Sequence, residues 1–200
     1  MNFIFQAKCW IVLSMVIFLL FKGSASAQTL PFTNHTEIGM LQSNQTFGRH
    51  ASFTFQTFNG VQANKWLRLG FTTGLDTYHR SVIIPFALGA RGVFSSDQKF
   101  SPLLGLDLGF GSTLLEDDSR TEWTEGGFMM NPTVGLLMKT QGKARLSLTV
   151  GYKRQVISDY TGILDPTATS RTGSLPPGYL SIAKDKFTFN RASIRLGLFF

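Results

Sequence analysis

Between residues 100 and 110 the chain reads Phe-Ser-Pro-Leu-Leu-Gly-Leu-Asp-Leu-Gly-Phe. Phe100, Pro102, Leu104, Leu106, Leu108 and Phe110 share one parity; Ser101, Leu103, Gly105, Asp107 and Gly109 share the other. A β-strand turns successive side chains to opposite faces, so this period of two describes a strand with one apolar and one polar face. The end of the chain repeats it. Ala192, Ile194, Leu196, Leu198 and Phe200 alternate with Arg191, Ser193, Arg195 and Gly197. Six further segments read alike, at residues 32–42, 49–58, 66–78, 81–94, 127–139 and 144–155. Eight such segments predict an all-β chain.

What occupies each face decides the environment. The apolar faces are read as free of Asp, Glu, Lys and Arg. The other faces carry Glu37, Arg68, Asp76, Arg91, Asp107, Lys139, Arg145, Lys153, Arg191 and Arg195 among Gly, Ser, Thr and Ala. A soluble barrel needs long charged side chains on nearly every outer face. Small residues with a few charges instead suit the narrow interior of an eight-stranded barrel, and the apolar face then meets lipid. Phe94, Phe100 and Phe200 fall at one end of the segments and Phe110, Phe128 and Tyr152 at the other, as two interface girdles require.

The connections are uneven. Short turns are expected at residues 59–65, 95–99 and 140–143, against long polar loops at 113–126 and 156–185. Short turns at one end and longer loops at the other match a bacterial outer-membrane barrel, with both termini at the turn end. Pro85, Pro102 and Pro132 fit strands poorly because each lacks a ladder N–H, so bulges or near-terminal positions are expected there. Phe187 and Phe189 break the phase of the last strand, for which a bulge near the outer rim is the expectation.

The first residues are different. Lys8 precedes an apolar run from Ile11 to Phe21, and Ala25 and Ala27 then fit the A-x-A pattern of a signal-peptidase site. About 11 apolar residues are too few for a membrane-spanning helix, which needs roughly 20. Residues 1–27 are read as a cleaved signal peptide and residues 28–200 as the mature barrel domain. Cys9 precedes the apolar run, so the mature part has no cysteine, and disulfide or thiol-metal chemistry is excluded for it. Without Lys8 and Lys22 the formal charge is 17 − 12 = +5. Its scattered basic residues suit anionic lipopolysaccharide and lack the clustering of a nucleic-acid binder.

Several stretches resemble the small outer-membrane β-barrel proteins of Bacteroidetes type. They are residues 32–39 (Phe-Thr-Asn-His-Thr-Glu-Ile-Gly), residues 55–60 (Phe-Gln-Thr-Phe-Asn-Gly), residues 69–78 and the run from Phe100. The resemblance covers most of the mature chain but not residues 156–185. It implies an eight-stranded antiparallel transmembrane barrel of the OmpA/OmpX shape in the bacterial outer membrane. It further implies a C-terminal assembly signal at Leu196, Leu198 and Phe200, read by the outer-membrane insertion machinery. It supplies no catalytic residue.

The chemistry-bearing residues give few candidates. Glu37, Asp76 and Asp107 share the expected interior with Arg68, Arg91, Arg145, Lys153, Arg191 and Arg195, and charges there must pair because an unpaired one is costly. A structural charge network is the reading, with an ion-conducting gate as its sharper alternative. His79 and Ser81, near Asp76, form the His-x-Ser pair of some lipid esterases, but an ordinary hairpin is expected. His35, His50 and Glu37 could hold a metal, yet histidines hydrogen-bonded to Glu37 are more usual. Asn34 and Asn44 head chance N-glycosylation patterns. Glu116, Asp117, Asp118, Glu122 and Glu125 form an acidic loop without calcium-loop spacing. The expected function is a monomeric, non-enzymatic outer-membrane barrel with a structural or surface-interaction role and no cofactor. Its partners are the lipid bilayer, lipopolysaccharide and the assembly machinery, with nucleic acid excluded. A lipid-modifying enzyme at the outer rim and a narrow solute channel are the alternatives.

Overall fold

The computed structural model describes residues 30–43, 51–78, 81–95, 98–115, 118–165, 175–176 and 178–200. The expected signal peptide, His50, His79, Asn44, Glu116 and Asp117 lie outside them. Eight strands follow in chain order: β1 (Phe32–Gln42), β2 (Ala51–Gln62), β3 (Leu67–Thr77), β4 (Val82–Val93), β5 (Phe100–Ser112), β6 (Glu122–Lys139), β7 (Arg145–Leu164) and β8 (Tyr179–Phe199). Each pairs antiparallel with its sequence neighbours, and β8 pairs back onto β1 from His35↔Phe199 to Gln42↔Ala192, closing the barrel. Closure leaves no sheet edge inside the ring, and this is what lets strands cross a membrane.

The pleat sorts the residues as the alternation requires. Ile38, Phe53, Phe71, Leu88, Leu104, Val134, Leu148 and Leu196 are exposed on the outside. Arg91, Asp107, Lys153 and Arg195 are buried inside. At the turn end Phe94, Phe100 and Phe200 are exposed, and at the loop end Phe110, Phe128 and Tyr152. Among the described residues of the expected segments, the outside departs from expectation at one position. Arg154 faces outward, exposed, two residues beyond the girdle residue Tyr152. At the end of the belt its long side chain can reach the headgroup layer, which makes the charge tolerable.

The prolines and phenylalanines also differ from expectation. Pro102 is near-terminal in β5, as expected. Pro85 and Pro132 lie mid-strand without a bulge: pairing lapses beside each and resumes in the same register, at Thr73↔Phe86 and Asp76↔Ile83 for Pro85 and at Met130↔Arg154 and Thr133↔Gly151 for Pro132. Missing ladder bonds are thus absorbed locally. Phe187 and Phe189 need no bulge either, because β7 and β8 stay in one register from Arg145↔Phe199 to Ile163↔Ser181. Phe189 packs over the upper mouth against Tyr78, ring centroids 5.1 Å apart. Asn59-Gly60 is strand rather than turn; Asn59 accepts a 2.8 Å bond from Asn34 Nδ2. The turn falls after Gln62, where Asn64 Oδ1 accepts from the N–H groups of Trp66 and Leu67 at 2.9 and 2.8 Å.

Strand length is where the two sides of the barrel part. β1 to β5 hold 11 to 13 residues, close to a bilayer crossing, whereas β6, β7 and β8 hold 18, 20 and 21. A tilted strand crosses in about 9–11 residues. The surplus of these three strands continues past the loop-end girdle as a three-stranded sheet. Segments expected as loops therefore fold as strands: Glu122 to Gly126 pairs with β7, and most of residues 156–185 belongs to β7 and β8.

Candidate functional site

Inward parity brings nine expected network residues toward the lumen, and their neighbours determine which of them meet. Arg91 Nη1 donates to Asp107 Oδ1 at 2.8 Å and Nη2 to Oδ2 at 3.2 Å. Thr72 Oγ1 and Asn131 Nδ2 complete the carboxylate at 2.6 and 2.9 Å. Below them Phe58 lays its ring 4.7 Å from the Arg91 guanidinium carbon. Gly89 makes this layer possible: a Cβ there would stand 2.7 Å from Phe58 and 2.9 Å from Asp107 Oδ1. A charge held by so many partners is one the interior can tolerate.

Higher in the lumen, Lys153 Nζ donates to Asp76, whose other oxygen accepts from Thr54 Oγ1 at 2.6 Å. Asp76 is therefore turned inward and engaged, away from Ser81. Glu37 accepts from Gln56 Nε2 at 2.7 Å and from Thr149 Oγ1 at 2.5 Å. His35 Nε2 stands 3.6 Å from Glu37 and instead shares a 2.9 Å bond with Ser147 Oγ, so the expected histidine–carboxylate bond is not formed. Asn131 Nδ2, 3.4 Å from Gln56 Oε1, links the Glu37 and Asp107 groups.

Among the described residues Arg68 and Arg195 form no ion pair with a carboxylate. Arg68 lies 5.4 Å over the Phe199 ring, and Arg191 lies 5.1 Å over Tyr78 and 5.9 Å over Phe189. Arg195 is buried beside Gly39, and its three guanidinium nitrogens have no hydrogen-bond partner among the described residues. Arg145 is only half-buried and Lys139 exposed. Both sit where β6 and β7 run out into their connecting turn, so the expectation of Arg145 inside the network is corrected: it belongs to the rim.

The charged middle is capped at both ends by apolar layers. Leu41, Tyr78, Ile83 and Ile157 close the loop end, and Val93, Leu103, Leu137 and Phe199 the turn end. Sequence reasoning singled out ionisable groups and missed these caps, together with the neutral Thr54, Gln56, Thr72, Asn131 and Thr149. The signal was available, since all but Thr54 and Gln56, whose strand carries no charge, share the parity of the charged residues on their strands.

Beyond the loop-end girdle, Trp123 and Tyr160 stack with centroids 5.2 Å apart and planes 4° from parallel. Tyr179 meets Trp123 edge-on at 6.0 Å and donates to Arg120 O at 2.7 Å. Gly162 permits this, because a Cβ there would stand 2.6 Å from the Tyr179 ring. Lys184 Nζ lies 4.9 Å from the Tyr160 centroid, and its hydrogen bond to Tyr160 holds its pKa above the ordinary lysine value. These cross-strand contacts are what order the projecting sheet.

No family model matches the chain, and no curated protein does. Solved structures do. The outer membrane protein OprG from Pseudomonas aeruginosa superposes with a TM-score of 0.56 at 10% identity, over 84% of this chain and 95% of that one. The outer membrane protein AlkL, determined by solid-state NMR in DMPC lipid bilayers, superposes with a TM-score of 0.50 at 13% identity, over 88% and 92%. The chain has the fold of the eight-stranded outer-membrane barrels.

Proposed function

We propose that residues 28–200 form a non-enzymatic, monomeric outer-membrane barrel that presents the projecting β6–β8 sheet at the cell surface in a structural or surface-interaction role, after removal of residues 1–27. The observation that carries this reading is the unequal strand length. Five strands stop near the span of a bilayer while three continue as an ordered, polar-edged sheet. Loops and extensions on a rigid barrel are where contacts are made. The interior supports the same reading: a bonded charge layer between two apolar caps is a scaffold, with side chains where a solute channel needs space. Asp76 is engaged by Lys153 and Thr54, the partners of a structural ion pair. On this reading the exposed Arg154, Lys184 and Lys186 face lipopolysaccharide, while Leu196, Leu198 and Phe200 serve the insertion machinery during assembly.

The test uses the absence of cysteine after Ala27. Ser181→Cys in the projecting sheet and Lys143→Cys in a short turn are treated, in intact cells, with a membrane-impermeant maleimide. Ser181→Cys should label fully and Lys143→Cys only after lysis. Labelling of Lys143→Cys alone on intact cells would invert the topology and remove the surface role.

A further inference from the structure

The described side chains at the turn end carry charge of one sign. Lys65, Lys99 and Lys143 stand exposed, one in each of the three short turns, and Lys139 and Arg145 flank the third. Asp97 lies outside the described residues. All border the girdle of Phe94, Phe100 and Phe200, to which Trp66 adds a ring stacked on Phe94 at 6.3 Å. Lysines at the edge of an apolar belt extend their stems along it and place the ammonium among headgroups.

On one side this rim adjoins an apolar groove in the outer wall, of about 740 Å³, whose lining includes Phe100, Leu136, Met138, Leu146, Leu148 and Leu196. The groove runs into this rim. Lys99 Nζ lies 5.8 Å from the centroid of the Phe100 ring, and Lys139 N donates to Lys99 O at 2.9 Å. The pair Met138↔Leu146 in the groove is followed at once by Lys139↔Arg145 at the rim. An apolar trough ending in clustered cations fits an amphiphile with acyl chains and a negatively charged head.

We infer that this groove and the lysines beneath it form a binding site for an anionic phospholipid of the leaflet that the short turns face. Acyl chains lie against Leu136 and Leu148, and the phosphate is held between Lys99 and Lys143. The leaflet assignment rests on the topology proposed above, which the cysteine labelling tests separately. The lipid preference itself does not depend on it.

The experiment exposes the processed, detergent-purified protein to equimolar phosphatidylglycerol and phosphatidylethanolamine with identical acyl chains, and reads retained lipid by native mass spectrometry. The unaltered protein should retain phosphatidylglycerol preferentially, by roughly fivefold per lysine and about 25-fold for two. Lys99→Gln with Lys143→Gln should abolish the preference by lowering phosphatidylglycerol retention much more than phosphatidylethanolamine retention. Leu148→Trp, which fills the groove from the outside, should lower retention of both lipids. Folding of each variant is checked by heat-modifiable gel mobility. Equal retention of the two lipids by the unaltered protein, or an undiminished preference in the double variant, would overturn the site. Lipopolysaccharide displacing phosphatidylglycerol in a lysine-dependent way would overturn the choice of lipid.

Discussion

Inside this barrel a side chain's value depends on whether its charge is met. Asp107 receives Arg91, Thr72 and Asn131, so truncating Arg91 would strand a carboxylate with 0% exposure. Breaking a buried pair in this way costs about 3–5 kcal/mol. Arg195 is equally buried, but its guanidinium makes no hydrogen bond among the described residues. Glu37, two residues from its cross-strand partner Gly39, already accepts from Gln56 and Thr149. The two arginines should therefore respond oppositely. Arg91→Met should lower the urea midpoint of the detergent-folded protein sharply, while Arg195→Met should leave it unchanged or raise it. Equal losses in both variants would show that Arg195 is held as firmly as Arg91. Sequence alone placed both arginines on the inner face. It could not separate them, because the difference lies in which neutral side chains the neighbouring strands bring to each.

Strand by strand, period two was the readable signal, and it is strongest where one face meets lipid and the other a packed lumen. β5 shows it most cleanly. Leu106 is 40% exposed and Asp107 fully buried, one residue apart. Leu106→Arg should cost roughly 2–4 kcal/mol near the middle of the belt. Leu106→Gln should cost less, and the ordering of the two in a denaturant titration checks the assignment of the outer face; equal effects would remove it. The signal fades where the environment changes. Past Ile157 and Phe189, β7 and β8 run beyond the barrel, both faces are largely exposed, and nothing enforces alternation. Residues 156–185 therefore read as a loop, although Trp123, Tyr160 and Tyr179 hold residues 156–164 and 179–185 as sheet. Asn59-Gly60 misled for a related reason: its turn propensity was outweighed by pairing with Asn34 and Thr33 across β1 and with Phe71 and Gly70 across β3.

Closure is a property of the whole molecule, and it rests on one seam. β8 meets β1 over eight registered pairs, and Phe200 N donates to Asn34 O at 2.8 Å while Asn34 N donates to Phe200 O at 3.3 Å. Thr33 Oγ1 adds a 2.9 Å bond to the same carbonyl. Phe199 turns inward from this seam into the layer of Val93, Leu103 and Leu137, with Arg68 above its ring, while Phe200 turns out to the girdle. The last two residues thus serve three structures at once: the β1–β8 ladder, the apolar cap at the turn end and the lipid-facing belt. Removing them would unpair the backbone N–H and C=O of Asn34 at the membrane edge, each costing several kcal/mol if it cannot reach water. It would also open the lower cap onto the charged layer. Deletion of Phe199 and Phe200 should therefore lower outer-membrane levels sharply while leaving signal cleavage after Ala27 intact, since that step precedes barrel closure. Membrane fractionation with N-terminal sequencing of the processed form reads both quantities. Normal membrane levels of the truncated chain would show that the β1–β8 seam closes without its terminal pairs. A mature N-terminus other than Gln28 would move the signal boundary and leave the seam untouched.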